Sequence, residues 1–160
     1  MINKAKELVL FLIENKMTIS CAESCTGGMV SELITSVSGS SEVLKSSYVT
    51  YSIEEKQRLL EIEPDVISNY GVVSPETAYR MSCGVRRQSR CDIGVGITGI
   101  AGPTGEEPGN PVGTVYISIA GSKGACTRRY HFNGTRNIVR RLASYEAIRL
   151  TFDLLSEGVL

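Results

Sequence analysis

A serine in a glycine-rich turn is the first feature of this sequence that could carry chemistry. Ser24 lies in segment 22–28, between a short β-like run at 18–21 and an apolar stretch with helical periodicity. A hydroxyl at a strand-to-helix turn can project into solvent beside the free backbone N–H groups of the helix start. Gly27 and Gly28 would let a ligand approach the backbone closely. The segment is therefore typical of a nucleophile beside an oxyanion or phosphate cradle, although Ser and Thr also favour turns without such a role.

Lys56 is the candidate base for this serine. It follows the sequence Ser-Ile-Glu-Glu at 52–55, which matches a capping box, and Tyr51 precedes that box at the end of a β-like run. A lysine that accepts a proton from serine near neutral pH needs its pKa lowered by about 3 units from about 10.4. The positive helix N-terminus favours this change, and the two glutamates of the box oppose it unless they face solvent. We expect Tyr51 and Lys56 at the same sheet edge as Ser24; a solvated lysine is the alternative.

Arginines at the start of the last predicted helix indicate an anion site. Arg136 and Arg140 are four residues apart, so their like charges repel each other on one helix face. Cations at a helix N-terminus are also disfavoured by the helix dipole. An anion bound there would offset both unfavourable effects, whereas the alternative is a solvated arginine face. Thr98 ends the predicted strand 92–97, where it either caps a turn or contacts a ligand.

Residues 94–99 match the pattern G-x-G-x-x-G, but they do not predict a dinucleotide site. That fingerprint requires a helix to begin at the glycines and an acidic residue about twenty positions later, and this chain has neither. A loop at 98–111 with four Gly and three Pro follows instead. A loop of this length in a compact domain is usually functional.

Composition excludes several classes of function. The chain has 160 residues, 42% hydrophobic, with 17 Lys+Arg balancing 17 Asp+Glu, so no global field attracts nucleic acid or an anionic membrane. The apolar run at 8–13 is too short to cross a bilayer, and no cleavage site follows it, which predicts a cytoplasmic protein. Five cysteines without metal-ligand spacing and a single histidine predict free thiols and no metal or other cofactor.

The alternation of helical and β patterns predicts one α/β domain over residues 1–160. A helix at 3–15, a helix at 26–36, a helical turn at 43–44, a helix from 52, a helix from 74 and a long helix at 135–155 alternate with five strands. We expect the strands at 18–21, 47–51, 92–97, 113–120 and 125–132, with a hairpin between the last two. This order predicts a three-layer α/β/α sandwich on a mixed five-stranded sheet.

The chain resembles the nicotinamide-nucleotide amidase family, which is also found as the C-terminal domain of the competence/damage-inducible CinA proteins. The matching segments occur in one order along almost the whole chain, which makes the resemblance specific. They are AESCTGG at 22–28, YS-x-x-x-K at 51–56, GVVS at 71–74, TGIAGP at 98–103, PVGTV at 111–115 and FNGTR-x-x-VR at 132–140.

The resemblance implies a three-layer α/β/α fold and metal-free hydrolysis of nicotinamide mononucleotide to nicotinate mononucleotide and ammonia. It implies Ser24 as nucleophile, Lys56 as general base and Tyr51 as an assisting residue. The substrate contacts that it implies are Thr98, Arg136 and, more weakly, Arg140. Gly27 and Gly28 complete the predicted binding residues, with backbone N–H groups at 25–28 as oxyanion donors.

Two positions depart from the pattern of the resembled family. Ile53 stands where Asn is usual, and Asn110 stands where Lys is common. The alternative function is therefore a nucleotide- or phosphate-binding module of the same fold with weakened catalysis. We expect a stand-alone domain that forms a homo-oligomer, with a dimer favoured, and that binds a pyridine nucleotide rather than nucleic acid or membrane.

Overall fold

The computed structural model describes residues 2–160, with side chains from Lys4 onward; Met1 of the predicted domain lies outside the described residues. Helices and strands alternate along most of the chain. The helices are α1 (Ile2–Glu14), α2 (Met29–Thr35), α3 (Ile53–Leu60), α4 (Pro64–Tyr70), α5 (Pro75–Ser89) and α6 (Arg136–Ser156). The strands are β1 (Ile19–Glu23), β2 (Leu44–Val49), β3 (Ile93–Gly99), β4 (Thr114–Gly121) and β5 (Gly124–His131).

The five strands form one mixed sheet in the order β2-β1-β3-β4-β5. Strand β1 pairs in parallel with β2 and β3, whereas β4 is antiparallel to both β3 and β5. Helices α1, α2 and α6 contact one another on one face, and α3 and α4 pack against α5 on the other. The predicted three-layer α/β/α sandwich on a mixed five-stranded sheet is confirmed.

Apolar side chains of both helical layers bury the three central strands, β1, β3 and β4. The larger core joins α1, α2 and α6 to the sheet and includes Leu8, Ile34 and Leu150, each fully or almost fully buried. A smaller core under α3, α4 and α5 contains Leu60 and Met81. Within residues 2–160, no helix combines the length and the apolar composition that crossing a membrane requires.

The predicted starts of helix α2 and of strand β2 were wrong. Helix α2 begins at Met29 rather than at residue 26, because Gly27 and Gly28 have φ values of 60° and 98° and hold the preceding segment in a turn. Strand β2 begins at Leu44, where the sequence predicted a helical turn. Leu44 pairs with Ile19 of β1, so sheet hydrogen bonding determines its conformation.

The glycines of the G-x-G pattern at 94–96 allow α5 to pack closely on β3. A Cβ atom at Gly96 would lie 2.4 Å from the carbonyl oxygen of Ala78 and 2.4 Å from the backbone nitrogen of Ser82. A Cβ atom at Gly94 would lie 2.1 Å from the Ser82 carbonyl oxygen. These glycines therefore position a helix against the sheet.

The sheet topology brings distant parts of the sequence to one edge. Because β1, β2 and β3 are parallel, their carboxyl ends meet there, followed in the chain by Ser24, Thr50 and Ile100. The antiparallel strand β5 ends at the same edge, because His131 pairs with Thr114 at the start of β4. The chain then leads into α6 at Arg136. This is the edge at which ligands bind to open α/β sheets.

Substituting Gly96→Ala tests the contact between α5 and β3. We expect a loss of about 1–3 kcal/mol in the free energy of unfolding, because the added methyl group has no space beside the α5 backbone. Urea denaturation measures the loss, and Ala125→Val, on the exposed face of β5, serves as the control with an expected change below about 0.5 kcal/mol. Equal stability of Gly96→Ala and the wild type would contradict the close approach.

Candidate active site

Ser24 and Lys56 form a direct hydrogen bond at the carboxyl edge of the sheet. The Nζ atom of Lys56 donates to the Ser24 Oγ atom at 3.0 Å and to the Thr50 carbonyl oxygen at 2.6 Å. Helix α3 positions the lysine because Ser52 caps its start, accepting the Glu55 N–H as the capping box predicted. The two residues that the sequence placed at one edge are thus in hydrogen-bond contact.

Burial prepares Lys56 to act as a base. Its side chain is fully buried, and this desolvation lowers its pKa to about 8. The predicted cause was the helix N-terminus, but the structure identifies burial as the main one. Glu54 is exposed, and the Glu55 carboxylate accepts hydrogen bonds from Arg58, so neither acid offers Lys56 a counter-charge. A substantial fraction of Lys56 is therefore neutral near pH 8.

Glu23 fixes the far side of the turn that carries Ser24. Its carboxylate is fully buried and accepts hydrogen bonds from the backbone N–H groups of Gly28 at 2.9 Å, Val30 at 3.1 Å and Ser31 at 3.0 Å. The Ser31 hydroxyl donates to it as well, at 2.8 Å. The Gly28 N–H predicted to cradle a ligand is thus bound to the protein's own carboxylate.

Arg140 fixes the near side of the same turn. Its guanidinium group donates from Nε to the Cys25 carbonyl oxygen and from Nη2 to the Thr26 carbonyl oxygen, both at 3.0 Å. A Cβ atom at Gly27 would lie 3.0 Å from Arg140 Nη2, so glycine suits both this contact and the positive φ. The structure thus places Arg140 in the framework of the turn.

Two backbone N–H groups of the turn take no part in its internal hydrogen bonds. Ser24 N–H donates to the Ile97 carbonyl oxygen, and Gly27 N–H donates to the Ser24 carbonyl oxygen. In the part of the chain that the structure describes, the N–H groups of Cys25 and Thr26 have no protein acceptor. Cys25 borders the open space beside Ser24, whereas Thr26 is fully buried, so the Cys25 N–H is the best placed of the predicted oxyanion donors at 25–28.

Cys25 is the competing nucleophile, because a thiol at a helix N-terminus can ionise readily. In this structure Cys25 is buried, and desolvation, with a smaller contribution from the Glu23 charge, raises its pKa to about 12. The thiol therefore stays protonated at neutral pH. Ser24, which contacts Lys56, is the better-prepared nucleophile.

A cleft of about 250 Å³ opens beside Ser24. Tyr51 and Arg136 form one wall, where Arg136 Nη2 donates to the Tyr51 hydroxyl at 2.8 Å and Nη1 donates to the Gly102 carbonyl oxygen at 2.9 Å. The glycine-rich loop after β3 also lines the cleft and carries Glu107. The cleft thus combines the Ser24 hydroxyl with one exposed cation and one exposed carboxylate.

Thr98 lies beneath this cleft rather than on its surface. Its side chain is buried, and its hydroxyl donates to the Val72 carbonyl oxygen at 2.8 Å. Val72 itself lines the cleft, so Thr98 supports a wall residue. The predicted contact between Thr98 and substrate stays a prediction, as do the contacts predicted for Gly27, Gly28 and Arg140.

The two departures from the pattern of the resembled family have different surroundings. Asn110 joins the glycine-rich loop to its neighbours, because its side-chain amide donates to the Val73 carbonyl oxygen at 2.8 Å and accepts from the Tyr116 hydroxyl at 3.2 Å. Ile53 is the first residue of α3 and is partly exposed. Asn110 therefore contributes to loop structure, whereas Ile53 leaves an apolar group next to the cleft residue Tyr51.

Comparisons with known proteins agree on one family. The CinA C-terminal domain family matches residues 2–155. A CinA-like protein of Citrifermentans bemidjiense is 42% identical over 142 residues, covering 88% of this chain and 34% of that protein. A CinA-like protein of Endomicrobium trichonymphae is 45% identical over 139 residues, covering 87% of this chain and 32% of that protein. The chain thus spans about a third of the length of these curated relatives.

A solved structure is similar over nearly its whole length. A competence-damaged protein (CinA) superfamily protein from Klebsiella pneumoniae superposes with a TM-score of 0.94 at 27% sequence identity. The similarity covers 98% of this chain and 98% of that one. The fold derived from the sequence is therefore the fold of this superfamily.

Replacing the buried lysine by an apolar isostere tests its lowered pKa. Between pH 8 and 10.5 the unfolded chain retains a proton that folded Lys56 has lost, so wild-type stability rises with pH in that window. Position 56 cannot titrate in Lys56→Met. We therefore expect the free energy of unfolding of this variant, relative to that of the wild type, to be about 2–3 kcal/mol lower at pH 10 than at pH 7.

Urea denaturation of both proteins at the two pH values measures this change. Lys45→Met, at an exposed lysine of β2, is the matched control and should show no comparable change with pH. A difference between Lys56→Met and the wild type that is independent of pH would contradict the lowered pKa.

Proposed function

Because the chain belongs to the CinA C-terminal domain family, we propose that it is a serine amidase that hydrolyses nicotinamide mononucleotide to nicotinate mononucleotide and ammonia. The observation that carries this proposal is the 3.0 Å contact between Lys56 Nζ and Ser24 Oγ. It combines with the resemblance of segments 22–28, 51–56 and 132–140 to the nicotinamide-nucleotide amidase family.

In the first half of the reaction, neutral Lys56 accepts the Ser24 proton while Ser24 Oγ attacks the carboxamide carbon. The Thr50 carbonyl accepts one amine hydrogen, which directs the Nζ lone pair towards the serine. The protonated lysine then donates its proton to the amide nitrogen, the carbon–nitrogen bond breaks, and ammonia leaves. An ester between Ser24 and the nicotinoyl group remains.

The negative charge that develops on the carboxamide oxygen requires hydrogen-bond donors. The Cys25 N–H is the proposed donor, because Cys25 lines the cleft, Thr26 is fully buried, and the N–H groups of Ser24, Gly27 and Gly28 are occupied by internal hydrogen bonds. Donors held in place before the reaction stabilise such charge without reorganising, and one donor contributes about 3–4 kcal/mol.

The second half of the reaction repeats the same steps with water. Lys56, neutral again once ammonia has taken its proton, accepts a proton from a water molecule that attacks the ester carbon. The carbon–oxygen bond to Ser24 breaks, the serine recovers a proton from Lys56, and nicotinate mononucleotide leaves. One residue therefore acts as base and acid in both halves.

Arg136 is the residue proposed to bind the substrate phosphate. It is exposed at the start of α6 and lines the cleft, and its two contacts to Tyr51 and Gly102 leave further N–H donors of its guanidinium group. The start of the helix adds a favourable dipole for an anion. Tyr51 is held in the wall by Arg136, which suits it to orient the substrate.

Ammonia release from nicotinamide mononucleotide tests the reaction. We expect turnover by the wild type, a loss of at least about 1,000-fold in Ser24→Ala, and near wild-type activity in Cys25→Ala. The value of kcat/KM should rise about tenfold per pH unit below pH 8 and level off above it, since Lys56 must be neutral. Undiminished turnover by Ser24→Ala would contradict the proposal, and binding without turnover by the wild type would favour the binding module.

Arg136→Ala tests the phosphate contact separately. We expect KM to rise about 10–100-fold with a smaller change in kcat, because charge-assisted hydrogen bonds to the phosphate are lost. Arg141→Ala, an exposed arginine on the same helix outside the cleft, is the matched control. Steady-state kinetics with nicotinamide mononucleotide gives both constants, and an unchanged KM in Arg136→Ala would assign the phosphate elsewhere.

A further inference from the structure

We propose that Glu23 is a positioning residue that holds the Ser24 turn in its reactive geometry, an inference that rests on the proposed function of Ser24 as a nucleophile. Glu23 is the last residue of β1 and immediately precedes Ser24. Its side chain is fully buried, and it has no ion-pair partner within the described residues. Burying an unpaired carboxylate is costly unless hydrogen bonds compensate, so its four hydrogen bonds are decisive.

The backbone and the side chain of Glu23 connect the nucleophile to two different elements. Its carbonyl oxygen accepts the Thr50 N–H at 2.9 Å, and the Thr50 carbonyl in turn accepts from Lys56 Nζ. Its carboxylate accepts the N–H groups at the start of α2. Glu23 thus links the Ser24 segment to Lys56 through Thr50, and to helix α2 through its carboxylate.

Helix α2 has no cap of its own. The residue before it is Gly28, in a left-handed conformation and without a side-chain hydrogen bond to the helix start. A Ser, Thr, Asp or Asn at that position could cap the helix locally. The cap comes instead from Glu23, five residues earlier and on the strand that carries Ser24. Stabilising the helix and placing the nucleophile are therefore coupled.

This arrangement decides which N–H groups face the reaction. The carboxylate engages Gly28, Val30 and Ser31, and Arg140 engages the carbonyl groups of Cys25 and Thr26 from the other side. With both sides fixed, the turn cannot rotate its remaining N–H groups towards internal acceptors. The Cys25 N–H, at the cleft, stays free to stabilise a developing oxyanion.

The charge of Glu23 also favours serine over cysteine chemistry. It neutralises the positive start of α2, which would otherwise stabilise a thiolate at Cys25. The charged groups that act on the Cys25 thiol are Glu23, Lys56 and Arg140, and Glu23 is the one that disfavours ionisation. A single carboxylate therefore orients the turn and adds to the effect of burial, which is the main reason that the neighbouring thiol stays protonated.

Glu23→Gln tests the inference in the 160-residue chain. The glutamine side-chain NH₂ group is a donor and cannot accept hydrogen bonds from the backbone N–H groups that the carboxylate binds. The turn should therefore lose its fixed geometry. We expect kcat for nicotinamide mononucleotide to fall about 10–100-fold while KM changes less than about twofold. Ile34→Ala, at a buried position in the same helix, is the control for general loosening of α2, with kcat within about threefold of the wild type.

A second readout is independent of the natural substrate. An alkyl fluorophosphonate reacts with an activated serine: the Ser24 Oγ–P bond forms, the P–F bond breaks, fluoride leaves, and Lys56 takes the serine proton. The rate of this modification, followed by mass spectrometry of the Ser24 peptide, should fall in Glu23→Gln by about the same factor as kcat. If Glu23→Gln does not fold, Ser31→Ala, which removes one of the four hydrogen bonds, should slow modification about twofold to tenfold.

The outcomes separate the inference from the proposed function. Modification that depends on Glu23, together with no hydrolysis of nicotinamide mononucleotide by the wild type, would support the inference and overturn the substrate. Wild-type rates in Glu23→Gln would overturn the inference while leaving the amidase intact. Equal losses in Glu23→Gln and Ile34→Ala at equal melting temperature would also overturn it, because the effect would then be structural. A wild type that the reagent does not modify would overturn the inference.

Discussion

The burial of one lysine amine is the constraint on which the proposed site depends. Lys56 places its Nζ atom against Ser24 Oγ and the Thr50 carbonyl in a fully buried position, so its pKa falls to about 8. An amine in solvent would stay protonated at neutral pH and could not act as a base. The site requires three chain segments to meet and to exclude water, and the parallel arrangement of β1, β2 and β3 provides that meeting point. Burying the amine without a counter-charge costs folding free energy, and the same burial makes the amine a usable base.

The turn that carries Ser24 is fixed by charges of opposite sign on its two sides. The Glu23 carboxylate binds N–H groups and the Arg140 guanidinium binds carbonyl groups. The Glu23 contacts are local, whereas Arg140 comes from α6, more than a hundred residues away in the chain. The turn therefore reaches its geometry only when the sheet and the helical layer that contains α2 and α6 are assembled. Such preorganisation allows backbone donors to stabilise charge without rearrangement.

Much of the fold could be predicted because its signals are local. The helix starts predicted at 52 and 74 and the strand predicted at 113–120 depend on neighbouring residues, and the structure confirms these elements, with Ser52 and Ser74 as helix caps. The start of β2 was predicted wrongly, because pairing with β1 determines it.

The candidate site was predictable only in part for the same reason. The shared sheet edge of Ser24 and Lys56 followed from the strand ends and a helix cap, and their pairing as nucleophile and base followed from the family resemblance. The role of Glu23 did not, because a glutamate at a strand end does not indicate in sequence which N–H groups it will accept. Burial as the cause of the lowered pKa of Lys56 was equally hidden, since it depends on packing from three segments. Thr98 carried a local signal for a strand end, but its hydrogen bond to Val72 depends on a loop 26 residues away.

Trapping the covalent intermediate tests the central claim most directly. Wild-type protein mixed with nicotinamide mononucleotide is quenched in acid within one turnover, and its peptides are examined by mass spectrometry. We predict that Ser24 carries an added mass equal to that of nicotinate mononucleotide less one water, as expected for the ester. This adduct should be present in the wild type and absent in Lys56→Ala. An acyl group on Cys25, or ammonia release with no acyl group on either residue, would contradict a mechanism in which buried Lys56 activates Ser24.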